Sequence, residues 1–322
     1  MPKAIAHWLI AEKTAERLKD TELGGAMRAH PNALRLGAVF PDLPYFLRGK
    51  EPWINRCRVM GNEWHGSGGE DTHRLLRRIL AMRPPGAGLT PPQQAFLAGV
   101  ASHLRADIAF HPLVYHLTGN YYDPDPAKRS RAVRNHRRLE TLLDMRVCGG
   151  LKNVPSYSAR AIASRLECEY RELTAWARRE GEPPELEEGL NRALRDFLEL
   201  QSWFIRPWAA RLAGALDSVA PDNARELAAL FYMPKLALHL PRLSSPLRYQ
   251  NPVTGQSEAA TVDELAARAV EESVALCRRL EPMAARGEPG EFSEPGPSLN
   301  FGLAGAAVSE ARFFSATPFF ED

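Results

Sequence analysis

The amino-acid sequence predicts an all-α protein, and three observations carry that prediction. Apolar residues recur at the three- and four-residue spacing of a buried helix face in most segments. Strand-like alternation of apolar and polar residues is nearly absent. Stretches rich in proline and glycine separate the helical segments. Hydrophobic residues make up 44% and charged residues 25% of the 322 positions, as in average globular proteins, so the chain has ample material for a core.

Helical segments follow one another along most of the chain. In chain order, the windows with a helical apolar period are residues 5–18, 96–108, 139–147, 158–179, 186–216, 223–232 and 261–280. The last window opens with Thr261 as the expected N-cap and Glu264 as its capping-box partner. Loops are predicted where proline and glycine concentrate, at residues 84–92, 121–126, 181–184 and 241–255.

We predict two parts, a helical domain of residues 1–281 and an irregular tail of residues 282–322. From Pro282 onward, proline and glycine are too frequent for a continuous helix. Phenylalanines nevertheless keep the tail apolar, among them Phe301, Phe313, Phe314, Phe319 and Phe320. We therefore expect the tail to pack on the helical body. The alternative is that it packs on a partner chain and supports an oligomer.

Charge and apolar patterning exclude several classes of protein. Lys and Arg total 41 against 39 Asp and Glu, and a net charge of +2 produces no global field that selects nucleic acid or an anionic membrane. No apolar run approaches the roughly 18–20 residues of a membrane span, so stable membrane insertion is not expected. Charges interrupt the first residues where a signal peptide is apolar, and we expect a cytoplasmic protein. The four cysteines show no C-x-x-C spacing, which indicates reduced thiols.

Histidines and carboxylates in the first half of the chain form two ladders with helical spacing. His103, Asp107 and His111 step by four residues, so on a helix their side chains project from one face about one turn apart. His136 and Glu140 repeat that step on the next predicted helix. Imidazole nitrogen and carboxylate oxygen are ligands of zinc in catalytic sites. The two ladders therefore predict a site for more than one divalent ion.

The alternative for any single histidine is an ordinary core or surface residue. An i, i+4 pair stabilises a helix by only ~0.2–0.5 kcal/mol and needs no metal. We adopt that interpretation for His30, His116 and His239. The first ladder, however, lies among apolar neighbours such as Leu104 and Ile108. Burying several titratable groups there is costly unless a shared cation pairs with them.

The order of these residues resembles the zinc-dependent phospholipase C family, whose fold is shared with single-strand-specific zinc nucleases. The motifs that carry the resemblance are His7 in the first helix, the G-x-x-x-P-D turn ending at Asp42, His65, the ladder of His103, Asp107 and His111, and the ladder of His136 and Glu140. The resemblance implies a helical body that holds two or three zinc ions in one cleft, with other divalent metals as alternatives.

The resemblance also implies a ligand set for each ion. Asp42, His65, His103 and Asp107 hold the first ion; His111, His136 and Glu140 hold the second; His7 holds the third with Asp107 as a bridge. His73 is the alternative to His65, because GSGGE separates His65 from the DTH that ends at His73. Secreted members complete the third site with an N-terminal Trp, for which the amino group of Pro2 is a substitute after removal of Met1.

Ions held by histidine and carboxylate favour hydrolysis, since nothing in the sequence indicates haem, iron–sulfur or dinucleotide binding. We predict a phosphoric-diester hydrolase in which metal-activated hydroxide attacks phosphorus in line. Asp42 is the candidate catalytic residue, as base or orienter of that water. The expected substrate carries a phospholipid headgroup or a nucleotide. The alternatives are a zinc nuclease or nucleotide hydrolase, and a non-catalytic metal-binding scaffold.

Two further sets of residues are candidates for substrate contact. Basic residues are concentrated at residues 128–138, and Arg105 lies within the first ladder. A solvated helix face is the alternative for this basic run. The aromatic candidates are Trp8, Trp53, Trp64, Tyr45 and Phe46, each of which is a core residue in the alternative interpretation.

Overall fold

The computed structural model describes residues 3–179, 182–183, 185–217 and 220–320. The predicted all-α class is confirmed. The α-helices are α1 (Ala4–Arg17), α2 (Glu22–Ala29), α3 (Pro31–Gly37), α4 (Pro52–Trp64), α5 (Arg74–Leu80), α6 (Pro91–Thr118), α7 (Pro126–Val147), α8 (Ala159–Ser164), α9 (Tyr170–Leu173), α10 (Leu186–Phe204), α11 (Pro207–Leu216), α12 (Asp222–Ala228), α13 (Pro234–Ala237) and α14 (Val262–Ala284). Short 3-10 helices cover Phe40–Phe46, Leu151–Ser156, Ala175–Arg178, Leu240–Ser244 and Val308–Glu310. The Pro2 amino group and residues 181 and 184 lie outside the described residues.

Helix α6 is the centre of the fold and the support of the first ladder. Its start is fixed by a capping box, in which the Thr90 amide donates to Oε1 of Gln93 at 3.1 Å, and by a proline in the first turn. Helices α1, α2, α3, α7 and α14 all pack against it. Because α6 is covered from several sides, polar groups on its inner stripe are shielded from water.

Two glycines bring α3 unusually close to α6. A Cβ atom on Gly99 would lie 2.1 Å from the carbonyl oxygen of Leu34, and one on Gly37 would lie 2.1 Å from that of Phe96. Only glycine allows this approach. The 3-10 helix that follows α3 thereby places Asp42 beside the inner stripe of α6.

A buried carboxylate fixes the start of α1. Asp144 on α7 accepts hydrogen bonds from the amides of Ala6 at 2.8 Å and Ile5 at 3.2 Å, and from the Tyr232 hydroxyl at 2.6 Å. Amides at a helix start lack partners within the helix, and a carboxylate there is favourable. Asp144 therefore positions the helix turn that carries His7.

Several predicted windows differ from the observed helices in their extent. The window 158–179 is divided into the short helices α8 and α9 and a 3-10 helix, and the window 186–216 is interrupted before Pro207, which cannot donate a backbone hydrogen bond. The predicted loop 241–255 contains the strand β1 (Leu247–Gln250), which pairs antiparallel with β2 (Ser257–Ala260). The capping box of Thr261 and Glu264 is confirmed. Helix α14 runs to Ala284, so that Pro282 lies in its last turn.

The residues after α14 run over the helical body in largely irregular backbone. The Leu299 amide donates to the His65 carbonyl at 2.9 Å, and Leu299 is fully buried. The Phe319 amide donates to the Leu117 carbonyl at 2.7 Å. The boundary between domain and tail at residue 281, and any part of the tail in an oligomer, stay predictions. Over the described ranges, none of the helices has both the length and the apolar character required to span a bilayer.

Candidate metal centre

Four side chains from three segments meet beside α6. Asp42 comes from the 3-10 helix after α3, His65 from the C-terminus of α4, and His103 and Asp107 from α6. One potential ligand atom from each lies within 4.8 Å of all the others, and all four residues are buried. We call this group the first cluster.

The distances within the first cluster match the edges of a coordination tetrahedron. Four atoms about 2.1 Å from one zinc ion at tetrahedral angles are roughly 3.4 Å apart. His65 Nε2 lies 3.1 Å from Asp42 Oδ1 and 3.6 Å from Asp107 Oδ2. His103 Nε2 lies 3.6 Å and 3.3 Å from the same two oxygens. The spacing is therefore that of ligands around a single ion.

Backbone carbonyl groups set the orientation of three imidazoles. The Nδ1 atoms of His65, His103 and His111 donate to the carbonyl oxygens of Gly61 at 2.7 Å, Ala38 at 2.9 Å and Leu299 at 2.7 Å. A carbonyl only accepts, so in the neutral ring Nδ1 carries the hydrogen and Nε2 keeps its lone pair. Metal-binding histidines are commonly oriented in this way.

His111, His136 and Glu140 form a second cluster, which joins α6 to α7. Their ligand atoms also lie within 4.8 Å of one another, and all three residues are buried. His136 Nε2 is 2.8 Å from Glu140 Oε1. The rings of Tyr115 and Tyr121 flank His136 at centroid distances of 4.8 Å and 5.1 Å, which limits its rotation.

Asp107 lies between the two clusters and faces both. Its Oδ2 points to His65 and His103, whereas its Oδ1 lies 3.8 Å from His111 Nε2 and 3.3 Å from His7 Nε2. His7 stacks on His103 with a centroid distance of 4.1 Å. His7 thus reaches Asp107 from α1, which is the contact that the ligand set of a third ion requires. Among the described residues, His7 belongs to neither of the two clusters.

Burial and neighbouring charges shift the pKa values of several members of this group. Burial lowers the pKa of His7, His111 and His136, which favours their neutral forms. Although burial opposes ionisation, His111 and His103 hold the pKa of Asp107 well below its usual range. Burial also opposes a charge on His103, yet Asp107 and Asp42 raise the pKa of His103 to about 9.

Several of these atoms also lack hydrogen bonds. Among the described residues, Nε2 of His7, His103 and His111 and both oxygens of Asp107 are buried without a well-oriented hydrogen-bond partner. Such atoms destabilise a protein unless something binds them. Nitrogen lone pairs and carboxylate oxygens that converge in this way fit a divalent cation of the zinc type.

The structure distinguishes His65 from His73. His73 Nδ1 donates to the carbonyl of Glu294 at 3.0 Å, and its Nε2 lies 3.2 Å from the Arg105 guanidinium, which can only donate. Both nitrogens of His73 are therefore engaged outside the clusters. The guanidinium of Arg105, which was proposed from the sequence as a substrate contact, is engaged by this contact with His73.

A cleft of about 630 Å³ opens onto both clusters. Asp42, His65, His111, His136 and Glu140 are among the residues that line it. Tyrosine and asparagine side chains also line it, namely Tyr45, Tyr115, Tyr121, Tyr122, Asn62 and Asn300. Its apolar lining includes Phe46, Leu47, Phe197, Leu200, Phe204, Leu227 and Leu230. Basic groups at the cleft are Lys3, Arg48, Arg58 and Arg137.

The sequence predicted only part of this lining. Tyr45, Phe46 and Arg137 were among the candidates, whereas Trp8 and Trp64 are core residues. Tyr115 was missed, although it stands four residues after His111 and so continues the ladder on α6. Asn300 comes from the tail, and nothing in its local sequence indicates a site.

Comparison with known proteins gives one match. A family model described as zinc dependent phospholipase C matches residues 6–204, a range that includes all the residues of both clusters and His7. No curated protein and no solved structure matches the chain.

Proposed function

The chain belongs to the zinc-dependent phospholipase C family, and from this premise we propose that it is a phosphoric-diester hydrolase with a multi-zinc centre. The proposed ligands are His7, Asp42, His65, His103, Asp107, His111, His136 and Glu140. The observation that carries the proposal is the pair of buried clusters, with Asp107 between them, that open into one cleft. Zinc bound there lowers the pKa of a coordinated water and neutralises charge on phosphate oxygens.

The protein's own groups have distinct parts in this proposal. Asp42 lines the cleft and meets His65 and His103 through Oδ1, which leaves its second oxygen to orient or accept a proton from the attacking water. Arg137 supplies positive charge at the cleft, where an anionic phosphodiester binds. Burial lowers the pKa of Lys3 to about 7, so this amine carries only part of a charge at neutral pH. The Tyr45 hydroxyl lies at the cleft, where it donates to Oδ1 of Asn62 at 3.1 Å.

The apolar lining of the cleft favours a phospholipid over a nucleotide. Phe197, Leu200 and Phe204 present hydrocarbon in the cleft, which suits an acyl chain better than a polar sugar. An acyl chain that covers these side chains removes apolar surface from water, at about 25 cal/mol for each Å². We therefore propose a phospholipid headgroup as the group released, with nuclease activity as the alternative.

The test compares three substrates for the zinc-loaded protein: bis(p-nitrophenyl) phosphate, phosphatidylcholine and single-stranded DNA. We expect cleavage of the first two. Asp42→Ala and His136→Ala should each abolish it, because each change removes a ligand from a cluster. His116→Ala is the matched control, since His116 lies outside both clusters and donates to the Phe313 carbonyl.

Each other result has a definite meaning. Preference for single-stranded DNA would select the nuclease alternative. A zinc-loaded wild type that is inert toward all three esters would contradict hydrolysis and select the metal-binding scaffold. Activity that survives in His136→Ala would remove the second cluster from the mechanism.

A further inference from the structure

The corner between α10 and α11 exposes an unusual amount of apolar surface. Trp208 is 54% exposed, Leu212 53% and Leu216 49%, and Trp203 before the corner is 38% exposed. Large apolar side chains that cluster at a surface usually mark an interaction site. We call Trp203, Trp208, Leu212 and Leu216, together with Arg206 and Arg211, the α11 patch.

The α11 patch is one continuous helix face. Trp208, Leu212 and Leu216 are four residues apart, so they follow one another along α11. The opposite face packs inward through Ala209 and Ala210, which are buried. Helix α11 is therefore oriented with its small residues toward the protein and its large apolar residues toward solvent. This is the reverse of the usual amphipathic surface helix.

The composition of the patch matches a lipid surface better than a second protein. Residues 203–216 contain two arginines and no acidic residue. The Arg206 guanidinium lies over the Trp203 ring at 4.8 Å, and the rings of Trp203 and Trp208 are 5.6 Å apart. Tryptophan and arginine side by side suit the headgroup region, where aromatic rings meet acyl chains and guanidinium groups meet phosphates.

The patch adjoins residues that line the cleft. Phe204, the last residue of α10, lines the cleft, and Trp203, which precedes it in the chain, belongs to the patch. Leu227 on α12, a helix that contacts α11, both lines the cleft and is 49% exposed. Helix α11 follows directly after the range matched by the family model, so the match assigns nothing to it.

We propose that the α11 patch docks this protein onto the surface of a phospholipid bilayer. Trp203, Trp208 and Leu212 enter the boundary between headgroups and acyl chains, while Arg206 and Arg211 contact lipid phosphates. Attachment is peripheral and reversible, and it is strengthened by anionic lipid. Docking does not require hydrolysis and so can be tested even where the proposed function fails.

The experiment is flotation of the full-length, zinc-loaded protein with vesicles of phosphatidylcholine, with and without phosphatidylglycerol. Wild type should float with the vesicles, and phosphatidylglycerol should increase the bound fraction. Trp208→Ala/Leu212→Ala should lower the partition coefficient at least about tenfold, equivalent to ~1.4 kcal/mol. Arg211→Gln should lower binding to the anionic vesicles about fivefold, and added salt should reduce that difference.

Val59→Ala is the matched control, because Val59 on α4 is an exposed aliphatic residue, 55% accessible, outside the patch. The urea unfolding midpoint, which needs neither a lipid surface nor hydrolysis, should be equal in all variants and so shows that each is folded. Docking on lipid is overturned if wild type fails to float, or if the double variant floats like Val59→Ala. It is equally overturned if the double variant converts a dimer to a monomer while vesicle binding stays unchanged.

Discussion

Replacement of Gly99 by alanine tests how the fold shapes the metal centre without changing a ligand. Gly99 lies four residues before His103, on the same face of α6. A new Cβ would lie 2.1 Å from the Leu34 carbonyl oxygen and 2.8 Å from the Ala38 amide nitrogen. Both are backbone atoms, so no side-chain rotation relieves the clash. Helix α3 must move away from α6 by about 1 Å to restore ordinary contact.

The size of the effect follows from what moves with α3. Overpacking of a well-packed contact lowers the free energy of unfolding by about 1–3 kcal/mol. The carbonyl that orients His103, 2.9 Å from its Nδ1, belongs to Ala38 at the end of α3. Loss of such a supporting contact lowers metal affinity about 10- to 100-fold. We expect both losses in Gly99→Ala.

Urea unfolding of the zinc-free protein measures the stability, and competition with a chromogenic chelator measures zinc affinity. Gly25→Ala is the control, because a Cβ on Gly25 of α2 meets nothing within 4 Å. That change should stabilise the protein by up to about 1 kcal/mol and leave zinc affinity unchanged. If Gly99→Ala matches wild type in both measurements, the close approach of α3 to α6 does not support the metal centre.

Three further predictions concern buried groups around the centre. Asp144→Ala leaves the amides at the start of α1 and the Tyr232 hydroxyl without their acceptor, and it should lower the free energy of unfolding in urea by about 2–4 kcal/mol. Asn300→Ala removes the acceptor of the buried Tyr115 hydroxyl, 3.0 Å away; because the Tyr122 hydroxyl, 3.3 Å away, compensates in part, the loss in urea should be only about 1 kcal/mol. In the folded zinc-free protein the pKa of His103 is about 9, compared with about 6.5 in the unfolded chain. The stabilisation that results from this difference is fully present below about pH 6.5 and is lost as the pH rises through about 9. As the pH rises from about 7 to about 9, the urea concentration at the unfolding midpoint of the zinc-free protein should therefore decrease. The midpoint of the zinc-loaded protein should not decrease, because its ligands bind the metal in their deprotonated forms.

The two ladders could be predicted from the sequence because helical geometry fixes the direction of side chains four residues apart. His103, Asp107 and His111 do lie on one inner face of α6, and His136 and Glu140 do come together on α7. Whether His65 or His73 joins them could not be predicted. The two residues flank a loop, whose course depends on contacts with the tail, such as that between the His73 ring and the Glu294 carbonyl.

Side-chain motifs also give no signal for the groups that support the ligands. The carbonyl oxygens of Gly61 and Ala38 orient histidines, and every residue has such an oxygen.

The short hairpin was missed because four-residue strands with a mixed burial pattern show no clear alternation. The basic run was predicted either to contact substrate or to be a solvated helix face, yet Arg138 is buried and donates to Asp217 at 2.7 Å, while Arg137 reaches the cleft.

Leu299 connects the tail to both clusters through its backbone alone. Its amide donates to the carbonyl of His65 in the first cluster, and its carbonyl accepts from the ring of His111 in the second. Because one backbone segment holds both contacts at once, displacement of the tail would release the His111 imidazole and the backbone at His65, which belong to different helices. Binding of an ion by His111 should in turn stabilise the tail against displacement, since the two equilibria are linked. A segment outside the matched range of the family thereby supports residues of both clusters.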